Sequence, residues 1–356
     1  MSALVPRRDD LESLEGYHSP QVPAAVRLNT NESPLPPPRQ WPDAFAAEIS
    51  RIDANRYPDR AASELRQALA DLHGVDASEV FCANGSNEVL QCLLLAFGGP
   101  GRLAATFEPT YALHAFIARL TGTPLVAGTR NERFEVEFDD AKALLDKHAP
   151  TITFLCSPNN PTGNADPPEL VERIVDVAPG LVVVDEAYGQ FAPASATGLR
   201  GRAGTEGLVV VRTFSKTWAL AAARLGYLLA DPAVIDACES TALPYHLSAY
   251  TQAAGLAALR FRAEMEERVA LVSEERGRVS AALRALAVDT WPSDANFILF
   301  RPTARSASEV WQGLLERSVL IRDVSGRPEL GGCLRVTIGT RAENDLFLSA
   351  LEECLR

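Results

Sequence analysis

Lysine is nearly missing from this chain: of 34 basic residues only Lys142, Lys147 and Lys216 are lysines. Positive charge is short altogether. The formal net charge of −12 argues against nucleic acid or an anionic membrane surface as a partner, because both require a basic face. Any anionic ligand must then be caught by local arginines. Long apolar runs are missing too. No stretch approaches the ~18 uninterrupted apolar residues of a membrane span, and MSALVPRRDD has no signal-peptide core, so a cytoplasmic protein is expected. The six cysteines form no C-x-x-C pair and lie mostly inside apolar runs, which suits free buried thiols. The five histidines show no ligand spacing, so no metal site is expected. There is no internal repeat and no low-complexity segment.

What is present is enough apolar sequence for real cores, 47% over 356 residues, a length that suggests about two domains. Residues 181–184 and 208–211 are continuous apolar runs, rich in β-branched residues and too short for helices. They read as buried parallel strands. The first ends on Asp185-Glu186 and the second runs into Thr213-Phe214-Ser215-Lys216. Carboxylates and an amine therefore meet at the carboxyl ends of neighbouring strands, where open α/β sheets bind ligands.

Lys142 and Lys147 lie in DDAKALLDKHAP, which reads as a solvated surface helix. Only Lys216 stands in an apolar setting. Desolvation there lowers an amine's pKa toward the range in which the neutral form attacks carbonyls. Taken alone, the lysine fits equally well as an ordinary residue at a helix start in an arginine-biased chain.

Residues 1–44 read as an extended, irregular arm, dense in proline and asparagine. Residues 45–247 read as a large α/β domain and residues 248–356 as a connecting helix with a smaller domain. The helix SELRQALADLHG takes Ser63 as its N-cap and Gly74 as its stop. VFCANGSNEVL reads as strand, glycine turn and helix, and the amides near Ser86 and Asn87 form a phosphate cradle. ERFEVEF reads as a strand before the surface helix, and the stretch after Lys216 as a helix. TITFLCSPNNPTG reads as a buried strand ending in a polar turn. From about residue 248 to 287 the pattern is helical, followed by strands in VDTWPSDANFILF and LRVTIGT and a final amphipathic helix.

SPNNPTG (157–163), VVVDEAY (182–188), TFSK (213–216) and Arg224 occur in that order. The constellation resembles the aspartate-aminotransferase-type, fold type I, class I/II pyridoxal-phosphate enzymes. LNTNESP (28–34) further resembles the signature near the start of histidinol-phosphate aminotransferases. The resemblance implies an α/β fold, with a large domain of mostly parallel sheet flanked by helices and a smaller α+β domain. It implies pyridoxal 5'-phosphate carried by Lys216, with Asp185 against the pyridine nitrogen. Asn160 and Tyr188 would reach the phenolic oxygen, and Tyr111 would stack on the ring. Thr213, Ser215, Arg224 and the Ser86-Asn87 amides would hold the phosphate.

By the same resemblance Tyr57 reaches a neighbouring subunit's cofactor phosphate, which implies a homodimer with shared sites. Tyr17 would close over the substrate. Arg335 would clamp a substrate carboxylate or phosphate, and Arg322 would make a second anion contact. The implied reaction is ping-pong amino transfer from histidinol phosphate to 2-oxoglutarate. The same scaffold serves phenylalanine and tyrosine transaminases and phosphothreonine decarboxylases, so the donor stays open. Two positions depart from the pattern, Ala222 where many relatives have glycine and Asn87 where many have aspartate. A P-loop reading of LVVVDE fails, because Lys216-Thr217 lacks the preceding glycines.

Overall fold

The structure, a computed structural model, describes residues 22–356 and, before them, residues 5, 8–12 and 16. Tyr17 lies outside the described residues. In chain order the strands are β1 (Val26–Leu28), β2 (Val80–Ala83), β3 (Ala104–Glu108), β4 (Leu125–Thr129), β5 (Ile152–Cys156) and β6 (Leu181–Asp185). They continue as β7 (Leu208–Thr213), β8 (Gly226–Leu229), β9 (Val288–Thr290), β10 (Phe297–Pro302), β11 (Val319–Asp323) and β12 (Leu334–Thr337).

Seven strands form the larger sheet in the order β2-β8-β7-β6-β5-β3-β4. β7, β6, β5, β3 and β4 run parallel, and β8 lies antiparallel between β2 and β7. The apolar runs make physical sense here, because helices cover both faces. Val183, Val209 and Val211 pack with Leu90, Leu93 and Leu94 of the helix Ser86–Phe97. Val182, Val184 and Val210 point the other way, onto Val171 and Ile174 of the helix Pro168–Val177. Alternate residues serve alternate faces.

The parallel strands deliver Glu108, Cys156, Asp185 and Thr213 to one edge of the sheet. Strand β3 has β4 on one side and β5 on the other, so the chain reverses direction across the sheet at β3. A crevice opens at such a switch point, and the loops after β3 and β5 bring Tyr111 and Asn160 to it.

The smaller sheet has the order β1-β11-β12-β10-β9 and is antiparallel except for β1 against β11. Through β1 the arm becomes an edge strand of this sheet. The helices Ala249–Leu259 and Arg262–Arg284 lead into it, and the helix Arg341–Leu355 packs beside it through Phe347 and Leu351. All six cysteines are free. No helix among the described residues is long and apolar enough to cross a membrane.

Three local expectations need correction. ERFEVEF is not a strand: Phe134 takes φ +62°, and the Asn131 side chain accepts from the Arg133 and Glu135 amides to close a turn. The strand lies earlier, at β4. Ser63 is not an N-cap; it is the first helical residue, and Asp59 Oδ2 accepts its amide at 2.7 Å. No α-helix follows Lys216. The chain must double back within the twelve residues separating Thr213 from Gly226 to lay β8 against β7. It does so through a short 3-10 turn, Ala221–Ala223, and through Arg224 at φ +52°.

Candidate active site

Lys216 follows β7 by three residues and lines a cavity of about 260 Å³ with Asp185, Tyr188, Asn160, Ser215 and Arg335. Its Nζ donates to the Thr30 carbonyl at 3.1 Å, a contact from the arm. Burial, aided by the positive charge of Arg335, lowers its pKa from 10.5 to about 8, against the opposing pull of Glu32. A desolvated amine of this kind is a nucleophile and a proton acceptor near neutral pH.

Asp185 ends β6 and is almost fully buried. Its Oδ1 accepts from the Ala187 amide at 3.1 Å, and Oδ2 faces His114 Nε2 at 3.0 Å. The next residue, Glu186, is pinned by Arg212 at 2.6 Å and by Ser195, which fixes the turn carrying both Asp185 and Tyr188. His114 escapes sequence reading, because it sits inside the amphipathic helix Ala112–Leu120 and looks like packing. It is packing too, stacked on Phe154 at 4.7 Å and met edge-on by Tyr111 at 5.5 Å. The only earlier signal is its place one helical turn beyond Tyr111.

On the opposite side, the helix Ser86–Phe97 begins at the cavity with no side-chain cap. Tyr111 Oη donates to Asn87 Oδ1 at 3.3 Å, which ties the aromatic to the helix start. Ser215 Oγ receives Arg224 Nη1 at 3.4 Å and Thr213 Oγ1 at 3.0 Å. The packing is as close as glycine allows. A Cβ on Gly85 would stand 2.5 Å from Arg224 Nη2, and one on Gly226 would stand 2.3 Å from the Ser86 nitrogen.

At the mouth, Asn31 of the arm takes φ +54° and donates its side-chain amide to Tyr188 Oη at 2.9 Å. With that oxygen accepting, the phenolic proton is left for the cavity. Burial pushes the Tyr188 phenol up to about 12, so it stays protonated and remains a donor. Arg335 Nη1 donates to Asn160 Oδ1 at 2.5 Å and Nη2 to the Asn29 carbonyl at 2.8 Å. A guanidinium only donates, so the Asn160 carbonyl faces it and the amide nitrogen is aimed elsewhere.

Arg322 lies directly across the β11–β12 ladder from Arg335. The two line a second cavity of about 210 Å³, which shares Tyr111, Asn160 and Arg335 with the first. Tyr57 is not brought to either cavity. It is 79% exposed and stacks on Tyr245 at 4.5 Å. Asn29, Asn31, Thr30 and His114 are the participants that sequence reasoning missed.

A lysine and a carboxylate at the ends of adjacent parallel strands, an aromatic from the neighbouring loop and a buried arginine from the smaller sheet are the arrangement of a fold type I pyridoxal-phosphate enzyme. The chain belongs to the family "Aminotransferase class I and II", whose profile matches residues 23–351. Enzymes of this family are pyridoxal-phosphate-dependent and pass an amino group from a small amino donor to a 2-oxo acid. The chain is 49% identical to histidinol-phosphate aminotransferase of Thermobifida fusca over 98% of its own length and 95% of that protein. It is 44% identical to histidinol-phosphate aminotransferase of Corynebacterium glutamicum over 99% and 97% of the two chains. Among solved structures, histidinol-phosphate aminotransferase from Sinorhizobium meliloti in complex with pyridoxal-5'-phosphate superposes with a TM-score of 0.90 at 25% identity, covering 100% of this chain and 99% of that one.

The residues present fit the cofactor. The uncapped helix start, Ser215 and Arg224 supply the amide, hydroxyl and guanidinium donors that a phosphate requires, around a cradle that a Cβ at Gly85 or Gly226 would fill.

Proposed function

We propose that the chain transfers the amino group of histidinol phosphate to 2-oxoglutarate, as a cytoplasmic homodimer. In this reading residues 1–44 form the arm, residues 45–247 hold the cofactor and residues 248–356 close on the substrate. The observation that carries it is the pairing of a lysine of lowered pKa with Asp185 in one cavity, whose far side opens onto Arg335 and Arg322. Relatives bearing that activity in their names, aligned over nearly the whole chain, support the donor.

When bound, pyridoxal phosphate supplies an electron sink for the carbanion formed at the donor's Cα. Lys216 is the residue that would hold the cofactor by its aldehyde, and its Nζ, when free, would accept the proton leaving the donor's Cα and deliver it away from that carbon. Its lowered pKa suits that exchange, because a base near ambient pH can both accept and release a proton. Asp185, oriented by His114 and Ala187, would face the ring nitrogen. Asn160 and Tyr188 would donate to the phenolic oxygen, and Tyr111 would cover one face of the ring. Ser86, Asn87, Thr213, Ser215 and Arg224 would hold the phosphate, joined by Tyr57 of a second copy. Arg335 and Arg322 would take the anionic end of the donor or of the 2-oxo acid.

The test is a donor panel of histidinol phosphate, phenylalanine, tyrosine and phosphothreonine, each with 2-oxoglutarate. The reading expects histidinol phosphate to have the highest kcat/KM and double-reciprocal plots to be parallel. No advantage over phenylalanine, or carbon dioxide release from phosphothreonine in place of amino transfer, would overturn it.

A further inference from the structure

Asn159 is wholly buried in the turn after β5, one residue before Asn160. An asparagine that merely forms a turn bonds its own backbone about two residues on. Asn159 instead reaches the loop after β3. Its Oδ1 accepts from Thr110 Oγ1 at 2.7 Å, and its Nδ2 donates to the Pro109 carbonyl at 2.9 Å and to Thr162 Oγ1 at 2.8 Å. Its backbone is committed as well. The Asn159 amide donates to the Asn164 carbonyl at 2.8 Å, and its carbonyl accepts from the Gly163 amide at 2.7 Å.

These partners leave little freedom in the residue type. The Pro109 carbonyl only accepts, so it must meet the amide nitrogen. The Thr162 hydroxyl spends its one hydrogen on Asn164 Oδ1, so it too takes an N–H from Asn159. Thr110 then meets the remaining oxygen. Aspartate lacks both donors, and leucine, of similar size, would strand all three partners.

The chain neighbours of the two linked residues are the ones that face the active site. Thr110 precedes Tyr111 and Asn159 precedes Asn160, and Tyr111 and Asn160 both line the cavity of Lys216. Asn160 is held from the other side too, where its Oδ1 accepts from Arg335. Its amide nitrogen is therefore aimed by two anchors, Arg335 through the side chain and Asn159 through the backbone. A fully satisfied buried network of this kind rigidifies what it joins.

We propose that Asn159 is a positioning residue: with Thr110 it fixes the spacing between Tyr111, on the cofactor ring, and Asn160, at the ring's phenolic oxygen. The inference rests on the cofactor roles given to Tyr111 and Asn160 above and adds the link between them. Neither Asn159 nor Thr110 lines the cavity of Lys216, so their effect is carried by the Asn160 N–H. That donor favours the phenolate form of the bound chromophore and holds its pKa down.

The experiment is an absorbance titration of the coloured holoenzyme in wild type, Asn159→Ala, Thr110→Val, the double variant and Asn160→Ala. Misaiming one hydrogen bond should raise the midpoint by about one pKa unit in Asn159→Ala and in Thr110→Val. The double variant should shift no further than the larger single one, because both side chains act through one link. Thermal melts of the cofactor-free proteins read the structural cost separately. A lower melting temperature with the midpoint in place would mark Asn159 as merely structural and overturn the inference, as would shifts that add in the double variant. An unchanged midpoint in Thr110→Val, which keeps the branched shape, would overturn it even where Asn159→Ala fails to fold. If Asn160→Ala itself leaves the midpoint unmoved, the cofactor reading of Asn160 falls; if Asn160→Ala moves it and Asn159→Ala does not, only the positioning role falls.

Discussion

His114 Nε2 lies 3.0 Å from Asp185 Oδ2 at the base of the active-site cavity, with both side chains buried. A carboxylate only accepts, so the imidazole presents its Nε2–H to Asp185, while Nδ1 has no hydrogen-bond partner among the described residues. His114→Phe keeps the stack on Phe154 but strands one oxygen of Asp185 in an apolar wall. An unpaired buried acceptor costs ~1–3 kcal/mol, so urea denaturation should show a loss of that size. Turnover should fall as well, because the carboxylate loses one of the two contacts that aim it.

The lowered pKa of Lys216 has a measurable sign. The folded group titrates near 8 and an ordinary lysine near 10.5. Between those values the unfolded chain keeps a proton that the folded chain has released, so this group's contribution makes stability rise with pH across the window. Below about 8 the cost of burying the cation is present in full, and above 10.5 it is gone. Cofactor-free Lys216→Met should therefore be more stable than wild type at pH 7, by a margin that shrinks from pH 8 toward 10.5. The rate at which the cofactor-free protein captures pyridoxal phosphate should rise with a midpoint near 8. A midpoint near 10.5 would contradict the burial argument.

Asn31 joins the two domains, donating to Tyr188 Oη at 2.9 Å while its Oδ1 accepts from Thr337 Oγ1 at 3.0 Å. Its φ of +54° adds a backbone condition that alanine meets poorly and glycine meets freely. Asn31→Gly isolates the loss of the side-chain bonds. Asn31→Ala should be worse by roughly 1–2 kcal/mol, the strain of a left-handed residue. Thermal denaturation of the pair separates the two effects.

Gly226 lies where β8 passes under the start of the helix Ser86–Phe97. A Cβ there would meet the Ser86 nitrogen at 2.3 Å and the Gly85 carbonyl carbon at 2.4 Å, both backbone atoms that cannot swing away. Gly226→Ala should push the start of that helix, the proposed phosphate cradle, out of place and weaken cofactor affinity more than it lowers the melting temperature of the cofactor-free protein. Equilibrium titration with pyridoxal phosphate measures the first effect and a thermal melt the second.

The parallel core is legible in the sequence because burial on both faces forces continuous β-branched runs, as in β6 and β7. The polar residues that end those runs, Asp185 and Lys216, are then conspicuous for chemical reasons. What escapes is long-range or disguised. His114 belongs to a helix face that packing alone would explain, and Asn31 meets Tyr188 and Thr337 only after the arm has folded back over the sheets. The turn after Lys216 is misread as helix because TWALAAAR has good local propensity. The pairing of β8 against β7, a tertiary demand, overrides it.

The account depends most on Lys216 being the amine that carries the cofactor. Borohydride reduction of the coloured holoenzyme, digestion and mass spectrometry of the labelled peptides test this directly. The predicted result is one pyridoxyl-bearing peptide, containing Lys216. A label on Lys142 or Lys147, or no covalent label on a protein that has bound pyridoxal phosphate, would contradict it.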